Sequence, residues 1–134
     1  MVDIVANDNK LIGSAPDNIR HYMEIRGLGI VNVRRLYGTG SVKKLTQIEL
    51  VIELEQWKED FEYDRLGMDE HYIKLLGVKV PHLVIPVRAG RNLALIVEVA
   101  CMNQREKNFG YNAARAMTNN IFHKELVDES DDLL

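Results

Sequence analysis

Met23-Glu-Ile-Arg-Gly-Leu-Gly-Ile-Val-Asn-Val33 is the stretch on which the interpretation of this sequence turns, because it joins a carboxylate and a guanidinium to two glycines. Upstream, Ser14-Ala-Pro-Asp17 has the hydroxyl, proline and acid that are typical of a helix start. Gly27 is typical of a helix end. The pattern therefore predicts a helix that ends beside Glu24 and Arg26 and is followed by a flexible glycine segment.

Two interpretations of this helix end are open from the residues alone. Magnesium in proteins is commonly bound by one or two carboxylates together with phosphate oxygens, so Glu24 is a candidate ligand. Alternatively, Glu24 and Arg26 face solvent and the glycines only stop the helix. Without further information the second interpretation is favoured.

A basic glycine turn, Arg88-Ala-Gly-Arg91, follows a predicted strand that ends at Pro86. Asn92 is placed to cap a helix that runs to about Asn108, with Gly110 as its stop. Glycine allows close approach to a ligand, a helix start offers free N–H groups, and two guanidinium groups suit phosphate. The alternative, a solvated basic turn, is favoured from the local pattern alone.

A third cluster, Asp64-Arg65, lies within the acid-rich segment Trp57 to Asp69, which is predicted to be a loop or short hairpin. Exposed ion pairs of neighbouring residues are common and weak, so a self-contained pair is the simpler interpretation. An arginine on a loop can also reach a phosphoryl group in transfer. Three separated clusters of arginine and glycine thus hint at phosphate chemistry.

The remaining patterns predict an α/β fold. Strands are expected at Val2 to Val5, from the alternation at Ile48 to Leu54, and at Leu83 to Pro86. Apolar residues from Ala114 to Leu126 predict a last amphipathic helix, which gives a C-terminal helix pair. We expect one domain over residues 1–127 and an acidic, flexible tail over residues 128–134.

Composition excludes several classes of function. The net charge of −3 gives no support to a nucleic-acid partner. Scattered histidines and a single cysteine do not provide a zinc site, and no apolar run is long enough to span a membrane. Cys101 lies in an apolar run and is expected to be buried. A single thiol and no signal pattern fit the cytoplasm.

The 23–33 stretch closely resembles the signature segment of the HPr kinase/phosphorylase family. Further resemblances follow in order along the chain: Leu36-Tyr-Gly38, Tyr63-Asp-Arg-Leu-Gly67, Ile85-Pro-Val-Arg-Ala-Gly-Arg-Asn92, Ala94-Leu-Ile-Val-Glu-Val-Ala100 with Met102-Asn103, and Gly110-Tyr-Asn-Ala-Ala114. The resemblance implies a partial P-loop kinase sheet, related to phosphoenolpyruvate carboxykinases, with flanking helices. It also implies an enzyme that phosphorylates a serine of the phosphocarrier HPr, using ATP or pyrophosphate and Mg²⁺.

The same resemblance implies the reverse reaction, in which inorganic phosphate attacks phosphoserine and releases pyrophosphate. It further implies a homo-oligomer, a hexamer in the family, that acts in carbon catabolite regulation of the sugar phosphotransferase system. HPr is then the expected partner, with no nucleic acid and no membrane.

Residue roles are carried over from the family position by position. Glu24 matches the magnesium-binding glutamate, Arg65 a catalytic arginine, and 86–91 the segment associated with dephosphorylation. In that segment Arg88, Gly90 and Arg91 are the expected functional residues, although Ala89 stands where the family commonly has proline. From the signature segment we expect catalytic and cofactor-binding roles for a further set: Arg26, Gly27, Gly29 and Asn32.

The sequence contains no Gly-x-x-x-x-Gly-Lys-Ser/Thr motif, which the family uses to grip ATP. We therefore expect the chain to be the C-terminal portion of the catalytic domain and inactive by itself. One alternative is a non-catalytic HPr-docking or oligomerisation domain. Another, disfavoured by the family motifs, is a carboxykinase-type enzyme that acts on a metabolite. The mechanism expected for an intact enzyme further requires the turn near residue 90 and the acidic segment near residue 24 to converge on one pocket.

Overall fold

A computed structural model describes residues 2–63, 67 and 69–132 of the chain. The chain divides into two compact units. The first consists of Met1–Val51 and Tyr72–Pro81, and the second of Ile52–His71 and His82–Leu134. Strands and helices occur together, so the fold is mixed α/β, as predicted.

The described strands are β1 Asp3–Asn7, β2 Lys10–Ser14, β3 Tyr22–Ile25, β4 Gly29–Asn32, β5 Leu45–Gln47, β6 Val51–Gln56, β7 Tyr72–Leu75 and β8 Val78–Val87. The helices are α1 Val33–Tyr37, α2 Leu93–Asn108 and α3 Ala113–Asp132, with a 3₁₀ turn at Thr39–Ser41. The strands are arranged as β1-β2-β5, β3-β4 and β6-β8-β7, and each pair with a defined register is antiparallel.

The first unit is organised around a small apolar core. Leu11 on β2 is 1% exposed and contacts Val78 and Val80 on β8. Four partly buried apolar residues pack against this group: Ile48, Val51, Ile73 and Leu75. Burial of apolar area of this kind is the main favourable term in folding, so these contacts hold β2 and the β7–β8 hairpin together.

The predicted helix from Ser14 to Arg26 is wrong. Backbone bonds from Ile19 N–H to Pro16 O and from Tyr22 N–H to Ile19 O form turns, and β3 follows directly. Proline and aspartate favour turns as well as helix starts, and Tyr22 and Ile25 of β3 are aromatic and β-branched types suited to a strand. Gly27 and Gly29, at φ +87° and +110°, then reverse the chain into β4.

The strand prediction at Ile48 to Leu54 is right in kind and displaced along the chain. The observed strand, β6, begins at Val51 and ends at Gln56. Ile48 lies outside a strand, but its N–H donates to Leu11 O at 2.7 Å. This bond ties the segment before β6 to the core of the first unit.

A hairpin of β7 and β8 was not predicted. Leu76 and Gly77 both have positive φ, +48° and +79°, and they form its two-residue loop. Two-residue loops with positive φ match the twist of antiparallel strands, and Gly at the second position is typical. The alternation of apolar and polar residues on either side of Leu76-Gly77 is the local sequence signal for this hairpin.

The second unit contains the part of the chain that was predicted best. Asn92 Oδ1 accepts a hydrogen bond from Leu95 N–H at 3.1 Å, which caps α2 at the predicted residue. Phe109 and Gly110, the latter at φ +95°, end the helix as expected. The last predicted helix is present as α3, which extends to Asp132. A flexible tail over residues 128–134 and the domain boundary at 127 stay predictions.

The prediction that Cys101 is buried is wrong, since the thiol lies on an exposed position of α2. No residue of α2 is fully buried. An apolar run in the sequence therefore does not by itself place a side chain in the core.

Candidate functional site

The turn Arg88-Ala-Gly-Arg91 joins β8 to α2, as the sequence predicts. Its backbone is closed by a hydrogen bond from Arg91 N–H to Arg88 O at 3.3 Å. Gly90 has φ +87°, a conformation that residues with a Cβ adopt only at a cost. A Cβ at this position would meet no atom within 4 Å, so backbone conformation is what requires glycine here.

Both arginines of the turn stack on one indole ring. The guanidinium carbon of Arg88 lies 4.7 Å from the ring centroid of Trp57, and that of Arg91 lies 5.3 Å from it. Trp57 is in turn fixed to the end of β8, because its N–H donates to Val87 O at 3.0 Å. The ring thus holds two positive groups beside the glycine turn through cation–π attraction.

The two guanidinium groups differ in their other partners. Arg91 Nη1 donates to Pro86 O at 2.6 Å, which folds the side chain back over the start of the turn. Arg88 Nη1 lies 3.7 Å from Glu59 Oε1, and the two side chains are 53% and 84% exposed. An exposed ion pair at that distance is weak, so Arg88 remains available to another anion.

An aromatic cluster supports the loop that carries Trp57. The ring centroids of Trp57 and Tyr63 are 4.9 Å apart, and those of Phe61 and Tyr63 are also 4.9 Å apart. Lys58 N–H donates to the hydroxyl oxygen of Tyr63 at 2.8 Å. These contacts give residues 57–63 a defined conformation without regular secondary structure.

Arg65, the predicted catalytic arginine, lies outside the described residues. Its assigned role is therefore still a prediction.

Glu24 lies in a strand and not at a helix end, which corrects the sequence prediction. It is opposite Ile30 in the β3–β4 hairpin, and its side chain is exposed. The carboxylate of Glu24 forms no hydrogen bond or ion pair with any described residue. Arg26 is exposed in the turn of the same hairpin.

The other residues of the signature segment have clear local roles. Gly27 and Gly29 supply the positive φ angles of the hairpin turn. The side chain of Asn32 caps α1, since Asn32 Oδ1 accepts from Arg35 N–H at 3.1 Å, and its predicted cofactor contact stays a prediction. In this conformation the amide oxygen is engaged by the backbone.

The predicted site residues thus form two local groups. Arg88, Gly90 and Arg91 are together in the second unit, and the signature-segment residues are together in one hairpin of the first. The convergence of the two groups stays a prediction. The contact of Trp57 with the turn was not predicted, because only the pairing of β6 with β8 brings Trp57 beside it.

Comparison with known proteins identifies the family. The family model described as the HPr serine kinase C-terminal domain matches residues 1–121. The chain belongs to this family.

Relatives of the chain carry the same name. The HPr kinase/phosphorylase of Caldicellulosiruptor bescii is 57% identical over 115 residues, which cover 86% of this chain and 37% of that protein. The HPr kinase/phosphorylase of Caldanaerobacter subterraneus subsp. tengcongensis is 59% identical over 114 residues, 85% of this chain and 37% of that protein. The chain therefore spans less than half the length of the curated relatives that it matches.

A solved structure supports the same family. The structure of the Hpr(Ser) kinase/phosphatase from Coxiella burnetii matches with a TM-score of 0.73 and 32% sequence identity. The match covers 87% of this chain and 71% of that one.

The metal expected in the HPr serine kinase family fits the described residues only in part. Within 2–63, 67 and 69–132 there is no cluster of three or more histidine, cysteine or acidic side chains that could hold an ion. Glu24 offers one exposed carboxylate without an ion-pair partner among these residues. One carboxylate suits Mg²⁺ when phosphate oxygens and water complete its shell.

No helix in the part of the chain that the structure describes has the length and apolar character needed to cross a bilayer.

Proposed function

We propose that this chain supplies phosphate-binding and magnesium-binding residues to an HPr serine kinase/phosphorylase. In that function, a serine of HPr is phosphorylated with ATP or pyrophosphate and dephosphorylated by inorganic phosphate. The proposal includes the partial P-loop kinase sheet, the cytoplasmic location and the carbon catabolite role expected from the resemblance. The names of the relatives support it.

One observation carries the proposal for this chain: the guanidinium groups of Arg88 and Arg91 both stack on Trp57 beside the Gly90 turn. Two side chains of like charge repel each other, so an arrangement that gathers them favours an anion between or beside them. Guanidinium groups bind phosphate with paired hydrogen bonds. A seat for inorganic phosphate is the function that this geometry supports best.

The phosphate seated at this turn is the nucleophile of the reverse reaction. One of its oxygens forms a bond to the phosphoserine phosphorus as the bond from phosphorus to the serine oxygen breaks. Pyrophosphate is released, and the serine oxygen takes up a proton. Arg88 and Arg91 lower the cost of bringing two phosphates together, because they neutralise part of the charge.

Glu24 and Arg65 complete the proposed set. Glu24 holds one position on Mg²⁺, which when bound neutralises charge on phosphate oxygens. Arg65 stabilises charge on the phosphoryl group in transfer. The exposed, unpaired carboxylate of Glu24 supports the first role.

The phosphate seat is tested by titrating the chain with inorganic phosphate and following the amide NMR signals of Ala89, Gly90 and Arg91. Replacing both turn arginines, Arg88→Gln with Arg91→Gln, should weaken binding at these signals at least about tenfold, because hydrogen bonds to charged groups are lost. A matched control, Arg105→Gln with Arg115→Gln, removes the same charge from exposed helix positions. Equal weakening in both variants would contradict a specific seat.

The isolated chain should not phosphorylate HPr, because its sequence has no P-loop motif to grip ATP. Transfer of radiolabelled phosphate from ATP to HPr is the direct measurement. Turnover above a no-enzyme control would refute this expectation, whereas failure of phosphate binding would refute the proposed seat.

A second candidate function, assembly without catalysis, is favoured by the exposed apolar face of α2. Leu95, Val99 and Met102 follow helical spacing and are 53%, 53% and 59% exposed. Such a face suits contact with another copy of the chain, in line with the oligomer expected from the resemblance. Val99→Lys should shift the mass measured by light scattering toward the monomer, and Asn108→Lys, exposed on the opposite side of α2, should not.

A further inference from the structure

The first unit contains a basic cleft that the proposed function does not use. Its volume is about 200 Å³. It is lined by Arg20, His21, Arg34, Thr39, Val42 and Lys44. The chain as a whole has a net charge of −3, so a concentration of cations on one concave surface calls for a separate explanation.

Two hydrogen bonds hold the segments that line the cleft in place. Val33 N–H donates to His21 O at 2.8 Å, which brings Arg20 and His21 beside the start of α1. The hydroxyl of Ser41 donates to Gly38 O at 2.6 Å and fixes the 3₁₀ turn. The backbone that carries the lining side chains is therefore held in a defined conformation.

The cations of the cleft are poorly neutralised within the described part of the chain. Arg20 is bonded to Asp17 Oδ1 and, at 3.2 Å, to Ala15 O. Arg34 and Lys44 form no ion pair with any described residue. The sequence from Val33 to Lys44 contains four basic residues and no acid.

Arg20 is less exposed than Arg34 and Lys44, the other two cations that line the cleft. Its side chain is only 16% exposed, and its Nε is buried with no hydrogen-bond partner among the described residues. Nε has almost no accessible surface, so it is not a donor to an anion in the cleft, and the exposed Arg34 and Lys44 supply the charge.

We propose that this cleft binds a small phosphate-bearing anion. Guanidinium and ammonium groups beside a threonine hydroxyl are the donors that phosphate oxygens prefer. Small-molecule pockets commonly measure about 300–1,000 Å³, so a cleft of this size suits a phosphate group or a short phosphomonoester and not a whole nucleotide. The site shares no residue with the turn at 88–91 and does not depend on the proposed function.

The proposal is tested by NMR titration of the chain with inorganic phosphate, pyrophosphate and glycerol 3-phosphate, in separate experiments. Amide signals of Thr39 to Ser41 should shift and saturate. Tighter binding of pyrophosphate than of glycerol 3-phosphate would identify an inorganic ligand, and the reverse order an organic phosphomonoester. Absence of saturable shifts at Thr39 to Ser41 with all three anions would overturn the proposal.

Matched variants separate a specific site from general attraction. Arg34→Gln with Lys44→Gln should weaken binding at least about tenfold, since two charged donors are lost. Arg35→Gln with Lys43→Gln removes equal charge from the neighbouring positions, which do not line the cleft, and should weaken it less than about threefold. Equal weakening by both pairs would overturn the proposal.

Arg20 is left unchanged because its bonds to Asp17 and Ala15 also support the fold. Failure of the proposed phosphate seat is distinguishable from failure here, because that seat is followed at Ala89 to Arg91. The variant Arg88→Gln with Arg91→Gln should leave the titration at Thr39 to Ser41 unchanged. Loss of binding at Thr39 to Ser41 in that variant would also overturn an independent site.

Discussion

The arginine turn at 88–91 and the hairpin that carries Glu24 both combine charged side chains with glycine, but the contacts of those side chains differ. In the turn, both guanidinium groups stack on Trp57, and Arg91 is also bonded to Pro86 O. In the hairpin, the carboxylate of Glu24 is exposed and forms no hydrogen bond or ion pair with any described residue. Both segments have a glycine at φ +87°, Gly90 and Gly27.

This difference shows that the arginine side chains of the turn are held in place before any ligand binds, whereas the carboxylate of Glu24 is not. Side chains held in place lose little freedom when an anion arrives, so less of the binding energy is spent on ordering them. A carboxylate without fixed contacts loses its conformational freedom only when it binds a metal, which lowers its net contribution to binding. We therefore expect the turn to bind phosphate by itself and Glu24 to contribute only when Mg²⁺ and phosphate are both present.

The largest expected effect comes from removing the ring that organises the turn. Trp57→Ala should lower the free energy of unfolding by about 2 kcal/mol, less than a fully buried tryptophan would. It should also weaken phosphate binding at Ala89 to Arg91 by about tenfold, because two cation–π contacts are lost. Denaturant unfolding and the NMR titration measure the two effects.

Trp57→Phe is the matched control, since it keeps an aromatic face for both arginines. Recovery of most of the phosphate affinity in this variant would indicate positioning by the ring. If Trp57→Ala bound phosphate as tightly as the unchanged chain, phosphate binding would not depend on the indole ring. The proposed contrast between an organised turn and an unorganised Glu24 would then be wrong.

The two glycines at φ +87° allow a direct comparison of the segments. Gly90→Ala and Gly27→Ala should each cost about 1–2 kcal/mol of folding free energy, because alanine disfavours the left-handed region and neither Cβ meets another atom. Only Gly90→Ala should alter phosphate binding at the turn. A similar loss of phosphate affinity in Gly27→Ala would contradict the view that the turn is organised locally.

A smaller effect is expected from the counter-ion of Arg88. Glu59→Gln should raise phosphate affinity at the turn about two- to threefold, since it removes a weak competitor for the guanidinium group. The gain should disappear at high salt, where exposed charges are screened. Unchanged affinity at low salt would show that Glu59 does not compete. Glu62→Gln, on an exposed residue of the same loop, is the control.

The smallest effect on stability is expected at Glu24. Glu24→Gln should change the free energy of unfolding by less than about 0.5 kcal/mol, as is usual for exposed positions without partners. It should nevertheless reduce the gain in pyrophosphate affinity that Mg²⁺ gives to the unchanged chain. Calorimetry with and without Mg²⁺ measures this gain, and an identical gain in the variant would argue against a metal-binding role.

Sequence reasoning succeeded where the signals were local. The cap at Asn92 and the stop at Gly110 act within one turn of α2, so both ends of that helix were predictable. It failed for β3 because Ser14-Ala-Pro-Asp17 suits a turn as well as a helix start. Only the pairing of β3 with β4 decides between a turn followed by a strand and a helix.

The candidate site shows the same division between local and distant causes. The glycine turn and its two arginines were readable as a unit from Arg88 to Arg91. The stacking on Trp57 was not, because it requires the end of β6 to lie beside the end of β8, some thirty positions later in the sequence. The cap formed by Asn32 was likewise hidden, since a family motif does not reveal which polar groups the backbone already uses.

The chain has a single tryptophan and a single cysteine, so the distance between these two positions can be followed by fluorescence in the native sequence. Trp57 lies beneath the arginine turn, and Cys101 presents an exposed thiol on the helix that follows that turn. A quencher attached to the thiol would respond to the separation of the two without any engineered residue. Energy transfer between them would therefore show, in the native sequence, whether anions move the turn against the helix.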